Sequence, residues 1–164
     1  MYDRNTNTYW TQIDRKAILG PLEGQELEEV SIDTVVWRDI LAANITGKVL
    51  SQDTGHDRNY GEDPYGSYYE NSFVMFPVQN EDKSVHPKTV IYGIEVNGVH
   101  KAYKDEDLKV GTLEDTVDGI PITVTKDEVG RVTIINQDTE EEIVKERDFW
   151  FAWYAFHPDT LLYE

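Results

Sequence analysis

The chain has no cysteine, which removes disulfide staples, thiolate nucleophiles and zinc ribbons from its repertoire and leaves its redox compartment open. It also lacks long apolar runs. The longest, Phe149 to Phe156, is eight residues, far below the ~20 that span a bilayer, so membrane insertion is not expected. Positive charge is scarce: fifteen bases against thirty-two acids give a net charge of −17. A surface of that sign repels phosphates, and nucleic acid is excluded as a partner. Catalytic signatures are missing as well. Gly66-Ser67-Tyr68 lacks the flanking glycines of a nucleophile elbow, and Gly20-Pro21-Leu22-Glu23-Gly24 lacks the Lys-Ser/Thr that completes a phosphate loop. His56, His86, His100 and His157 form no pair at metal-ligand spacing. The N-terminus is polar from Met1 to Thr6 and does not read as a signal peptide, which predicts either a cytoplasmic chain or a piece excised from a longer one.

What is present suits a folded domain. Hydrophobic residues make up 39% of 164 residues, and a chain of this size buries roughly two-thirds of its unfolded surface without staples. Strands are expected at Thr8–Ile13, Lys16–Leu19, Leu27–Val30 and Lys48–Leu50, with Gly20-Pro21 breaking the second. Ser31, Asp33 and Thr34 are capping residues ahead of a Val36, Trp37, Ile40, Leu41 stripe, which predicts a helix over Thr34–Ala43, closed by Asn44 to Gly47. Further on the pattern turns to β. Phe73–Val78 is apolar, and Thr89–Val96 and Val99–Tyr103 flank Asn97-Gly98, the pair favoured by a type I′ hairpin. Ile120–Thr125 and Val132–Ile135 follow, and the charged stretch Asn136–Arg147 reads as loop.

The closing aromatic run suits a helix or a strand. Setting Trp37 on Trp150 places Ile40 on Trp153, Leu41 on Tyr154, Ala42 on Ala155 and Val49-Leu50 on Leu162-Tyr163. Such an internal duplication makes Phe149–Phe156 a helix with its rings turned inward. The expected class is therefore α+β: β-rich, with antiparallel hairpins and two short aromatic-faced helices. The chain is one domain over 1–164, or two half-repeats (about 1–51 and 120–164) joined by the 52–72 loop and a central hairpin region.

Residues 52–72 hold almost no aliphatics and are the longest stretch without periodicity; long irregular loops in compact domains are commonly functional. Asp53, Asp57, Glu62 and Asp63 offer carboxylates, Arg58 a fork donor, and Tyr60, Tyr65, Tyr68 and Tyr69 flat amphipathic rings. A small polar ligand such as a sugar could stack on Tyr60, Tyr65 and Tyr68 and bond to Asp53, Asp57 and Arg58. No cofactor is expected. The ion whose hard-oxygen chemistry fits best is Ca²⁺, on Asp53, Asp57 and Asp63, although the spacing is not that of an EF-hand. The purely structural alternative has Asp53 and Thr54 capping backbone amides, Arg58 paired with an acid and the tyrosines packed.

Three blocks carry a family likeness. The first is Tyr2-Asp3-Arg4 with Trp10-Thr11-Gln12 and Ala17 to Gly24. The second is Ser51 to Gly55 with Arg58, Tyr60-Gly61, Pro64-Tyr65 and Tyr68, and the third is Phe149 to Trp153 with Phe156 to Thr160. In this order they resemble the bacterial and archaeal family known as domain of unknown function 3179. Relatives carry a Cys-Pro-Leu segment ahead of the first block and a second Gly-Pro-Leu stretch ahead of the third, and a His-Pro-Asp-Thr where this chain has Asn44-Ile45-Thr46-Gly47. The likeness thus implies a truncated or minimal member. It brings no reaction with it, and it implies an extracellular or cell-envelope setting. Together these readings favour a non-enzymatic binding or structural module, exported, whose Asp53–Tyr69 loop meets a small polar ligand or a protein surface. The alternatives are an enzyme drawing Asp53 or Asp57 with His56 or Arg58 into an acid/base site, and an assembly protein pairing strand edges between copies.

Overall fold

The computed structural model describes residues 1–43 and 46–164; Asn44 and Ile45, within the expected end of the first helix, lie outside the described residues. Three sheets are present among the described residues. β1 (Tyr2–Asp3), β2 (Thr8–Trp10) and β3 (Ala17–Leu19) form a short antiparallel sheet. β4 (Val90–Val96), β5 (Val99–Lys104), β9 (Glu146–Phe149) and β10 (Leu161–Leu162) form a second, in the order β10-β5-β4-β9. The third is β6 (Gly111–Val117), β7 (Ile120–Lys126) and β8 (Val132–Asn136). All pairings are antiparallel except β10 with β5. The β-rich α+β class is what the structure has.

Two hairpins organise this core, and both use the mirror-image turn that only a positive φ permits. Val96 pairs with Val99 around Asn97 (φ 52°) and Gly98 (φ 81°). Val117 pairs with Ile120 around Asp118 (φ 49°) and Gly119 (φ 78°). The second was legible only in part, because Gly111–Val117 reads as Gly-Thr-Leu-Glu-Asp-Thr-Val, too polar to announce a strand. It is one because Thr112, Glu114 and Thr116 alternate outward along a half-covered face.

β4 is buried on both faces, and strand alternation decides what each face meets. Tyr92, Ile94 and Val96 join Tyr103, Val117, Ile122, Val124, Val132 and Ile134 in a core between the two larger sheets. Ile91 and Gly93 look the other way, where Ile91 and Ala102 pack under Trp150 and Trp153 of α2 (Trp150–Phe156). The closing run is thus a helix with its indoles inside. One polar group crosses the first core: the Tyr103 hydroxyl donates to Asp115 Oδ2 at 2.9 Å, and Lys101 Nζ lies 2.9 Å from the same oxygen. Burial raises the Tyr103 phenol well above its ordinary range.

The first helix departs from expectation. α1 spans only Trp37–Ala42, starts after an extended Val36 with no side-chain cap, and contains no buried residue. Ser31 and Asp33 do not cap it because they are engaged elsewhere. Lys145, whose side chain is 2% exposed, places its ammonium 3.0 Å from Asp33 and 3.6 Å from Glu142, and donates to Ser31 Oγ at 3.3 Å. A buried ammonium binds the nearest carboxylate more strongly than a helix terminus does. Asp33→Asn should therefore cost about 1 kcal/mol, since Glu142 and Ser31 remain. A thermal melt should show Tm lower by about 2–4 °C.

No strand forms at 27–30 or 48–50, where the sequence predicts strands, or over the apolar stretch 73–78. Leu50 is 96% exposed, Val30 72% and Phe76 75%, and without a neighbouring ladder to satisfy its amides a short apolar run does not become a strand. The Asn136–Arg147 stretch folds back on β8 through an Ile135–Glu142 bridge and feeds β9. As for duplication, both helices begin at the matched tryptophans, Trp37 and Trp150. Only the second is followed by a strand, β10.

Candidate functional site

The Asp53–Tyr69 loop divides into two parts. Toward its end, Gly66–Tyr69 forms a turn of 3₁₀ helix. There Asp63 Oδ1 accepts from the Tyr65 amide at 2.9 Å and the Tyr69 hydroxyl at 3.2 Å. The Tyr65 ring centre lies 6.2 Å from that of Tyr68 and 6.1 Å from that of Tyr69, and Tyr69 reaches Phe149 at 5.9 Å. Lys88, which is buried, lays its ammonium 3.6 Å from the Tyr68 ring centre and donates to the Asn71 carbonyl and side chain. In this half Tyr68 lies under a buried cation, whereas Tyr65 and Tyr69 remain exposed.

The earlier half is open. Asp53, His56, Asp57, Arg58 and Tyr60 are all exposed. The Asp53 amide donates to Ser51 Oγ at 3.0 Å, and Thr54 and Tyr60 share a hydrogen bond of 2.8 Å. Arg58 makes no ion pair among the described residues. Among those residues, no three His, Asp or Glu side chains are grouped to hold a metal, so Asp53, Asp57 and Asp63 stay apart.

Convergence occurs elsewhere, and the register of the second sheet explains it. Ile91, Gly93 and Glu95 lie on one face of β4, opposite Ala102 and His100 of β5 and Asp148 and Glu146 of β9. Trp153 covers the Gly93 row, and it can do so only because Gly93 has no side chain: a Cβ there would stand 2.6 Å from three ring carbons. The next row, Glu95 with His100, projects past the end of α2. There His157, the residue that closes the helix, stacks on His100 with ring centres 4.0 Å apart and planes at 22°, and its ring centre lies 4.3 Å from that of Trp153.

Three hydrogen bonds fix this stack. Trp153 Nε1 donates to Thr160 Oγ1 at 2.8 Å, Thr160 Oγ1 donates to the His157 carbonyl at 2.7 Å, and the His157 amide donates to the Trp153 carbonyl at 3.0 Å. Arg15 arrives from the N-terminal sheet. Its backbone is held at φ 56° by its own amide bonding Gln12 and its carbonyl accepting from Leu27. An arginine in left-handed backbone costs on the order of 1 kcal/mol. That strain aims its guanidinium at Glu29 and, at 3.5 Å, at Glu95. His100 Nε2 stands 3.7 Å from the same Glu95 carboxylate.

These side chains enclose a cleft of about 250 Å³ lined by Arg15, Glu29, Glu95, His100, Glu146, Trp153 and His157. A second hollow of about 520 Å³ shares Arg15, Glu29, Glu95, His100 and His157 with it and adds Asp14, Lys16 and Glu26. Burial, with Asp148 and Asp14 nearby, pushes the Glu146 carboxyl up to about 7 despite Arg15. Burial and the neighbouring His100 hold His157 below the ordinary imidazole range. At neutral pH the cleft therefore contains a carboxyl group poised to lose its proton and an uncharged imidazole beside it, a pattern that concentrates at binding and catalytic sites. Sequence reading misses the constellation because its members come from five places along the chain. The one local hint is Glu95 and His100 flanking an Asn-Gly turn, which a hairpin must bring face to face.

The fold and the cleft define a β-rich domain with a polar, titratable pocket at a sheet–helix junction. The chain belongs to the family described as Protein of unknown function (DUF3179), whose profile matches residues 1–143. No curated protein and no solved structure matches it. The matched span carries Arg15, Glu29, Glu95 and His100, whereas Glu146, Trp153 and His157, along with the terminal aromatic block, follow it.

Proposed function

We propose that the chain is a non-enzymatic binding module that takes a small, positively charged polar ligand, such as an amine, in the cleft between α2 and the N-terminal sheet. The observation that carries this reading is the charge inventory of the cleft and its neighbouring hollow. Asp14, Glu26, Glu29, Glu95 and Glu146 line the two adjacent spaces against Arg15 and Lys16, with His100 and His157 between them. Arg15 is committed to Glu29 and Glu95, and Lys16 lies 3.2 Å from Glu26. An incoming ammonium would meet Glu146 without competing for a partner, and the Trp153 and imidazole faces would cover its alkyl portion.

The experiment is a calorimetric titration of the full chain with small amines, neutral sugars and Ca²⁺. An amine should bind, its affinity should rise between pH 6 and 8 as Glu146 ionises, and Glu146→Gln should weaken it at least ~10-fold. Heat from a sugar or Ca²⁺ that disappears in Asp53→Ala would move the site to the Asp53–Tyr60 loop. The enzyme reading receives less support, because the Asp53, His56, Asp57 and Arg58 side chains on which it drew are all exposed. An extracellular or envelope setting belongs to the same proposal through the family likeness, and recovery of the native protein from the cytosol on cell fractionation would remove it.

A further inference from the structure

Pairing within the protein accounts for most of the charge around the cleft and its neighbouring hollow. Arg15 holds Glu29 and Glu95, and Lys16 holds Glu26. Two lining carboxylates are left over. Glu146 borders the inner space and Asp14 the outer one. Both residues are half-buried, and among the described residues neither has a base within ion-pair distance. Asp148, the other acid on this face of β9, lines neither space.

The two leftover carboxylates share one environment. Asp14 stands on the tight turn that the Arg15 amide closes onto the Gln12 carbonyl at 3.2 Å. From there its charge reaches both Glu146, which burial and Asp148 chiefly raise, and His157, which burial and His100 chiefly lower. His100 and His157 line both spaces, so their stacked rings stand where the two meet, with the Trp153 ring centre 4.3 Å from that of His157. Ile143 and Val144 add apolar surface to the inner space. Because His157 is held uncharged at neutral pH, this wall offers ring faces to a methylene chain and no charge that would repel a cation.

Building on the amine reading of this cleft, we propose that its ligand is a linear diamine charged at both ends. One ammonium meets Glu146, the other meets Asp14, and the methylene chain lies along His100, His157 and Trp153. A monoamine would neutralise one of the leftover carboxylates and strand the other. A diamine neutralises both and leaves Arg15 and Lys16 with the partners they already have. The net charge of −17 also draws a dication more strongly than a monocation. Chain length then sets specificity: a spacer too short does not reach the second carboxylate, and one too long must buckle, so affinity peaks where the spacer matches the span.

Calorimetric titration of the full chain at pH 8, where Glu146 is ionised, tests this with butylamine and linear diamines from propanediamine to octanediamine. The best diamine should bind about 10-fold more tightly than butylamine, the effect of one added charge-assisted contact, with affinity falling at shorter and longer spacers. In Asp14→Asn that advantage should disappear, whereas Glu146→Gln should weaken monoamine and diamine alike. Aminohexanoate, which replaces one ammonium with a carboxylate, should bind no better than butylamine. The length series on the natural protein decides the matter even where the asparagine variant does not fold. Diamines that only match butylamine at every length, or an advantage that survives Asp14→Asn, overturn the diamine and leave the amine reading standing. Amines that fail to bind at all overturn both.

Discussion

Gly93→Ala should destabilise the protein by about 3 kcal/mol, a fall in Tm of about 6–12 °C for a chain of this size. The backbone at Gly93 is ordinary for a strand, so an alanine meets no conformational barrier there; the penalty is steric. A Cβ would stand 2.6 Å from Cε3, Cζ3 and Cη2 of Trp153, well inside contact distance, and neither partner can retreat. Gly93 is paired on both sides, to Ala102 and to Glu146. The Trp153 indole is 2% exposed and tethered through Nε1 to Thr160. Moving the ring sacrifices that hydrogen bond and the packing on Ile91 and Ala102, and drags His157 off His100. The same substitution in a Trp153→Leu background should cost under half as much, because a smaller side chain leaves room for the methyl. Denaturant unfolding of the four proteins of that cycle measures the coupling directly. Equal costs in both backgrounds would mean that the close approach of glycine and indole is not what shapes this face of the sheet.

That contact also shows where the sequence is informative and where it is not. The Asn97-Gly98 turn could be read from two letters, since positive φ at successive positions is a local demand and few residues meet it. The helical state of Trp150–Phe156 could be read by comparison with the Trp37 segment, because a spacing of three and four is a local property of the chain. The same comparison failed for burial. Trp37 and Trp150 sit in like patterns, yet one is half exposed and the other buried, because burial depends on what the rest of the chain places opposite. Ser31 and Asp33 looked like helix caps for the same reason: nothing local says that Lys145, more than a hundred residues away, will claim them. In the loop, composition is legible but contacts are not: nothing local shows that Tyr68 lies under Lys88 or that Tyr69 meets Phe149. Nothing in the charged run singles out Glu146, which alternation along β9 turns inward beside Gly93.

Glu146→Gln should raise stability above pH 7 by on the order of 1–2 kcal/mol and leave it nearly unchanged at pH 4. The direction follows from where the proton sits. The folded protein holds this carboxyl at about 7 against an ordinary 4.5, so between those values the native state carries more protons than the unfolded one, and stability falls as pH rises. Below about 4.5 both states are protonated and the difference vanishes; above about 7 the loss is complete. Full linkage across that window is ~3 kcal/mol at ~1.4 kcal/mol per unit, and partial exposure of the side chain brings the expected figure to the lower range. Glutamine keeps the shape and hydrogen bonding of the neutral acid, so the variant should show a flatter stability profile from pH 5 to 7 and a Tm about 2–8 °C higher at pH 8. His157 works in the opposite sense. Its lowered pKa contributes stability that is present above the ordinary imidazole value and is lost as pH falls below it. Because both proteins carry that histidine, the difference between their melting curves isolates the carboxylate. On the proposed reading, a cation bound in the cleft offsets the destabilising charge of Glu146 above pH 7. Saturating amine should therefore raise the Tm of the natural protein toward that of the glutamine variant and leave the variant where it is. Melting curves that coincide at every pH would show that Glu146 is fully solvated and has no need of a cation.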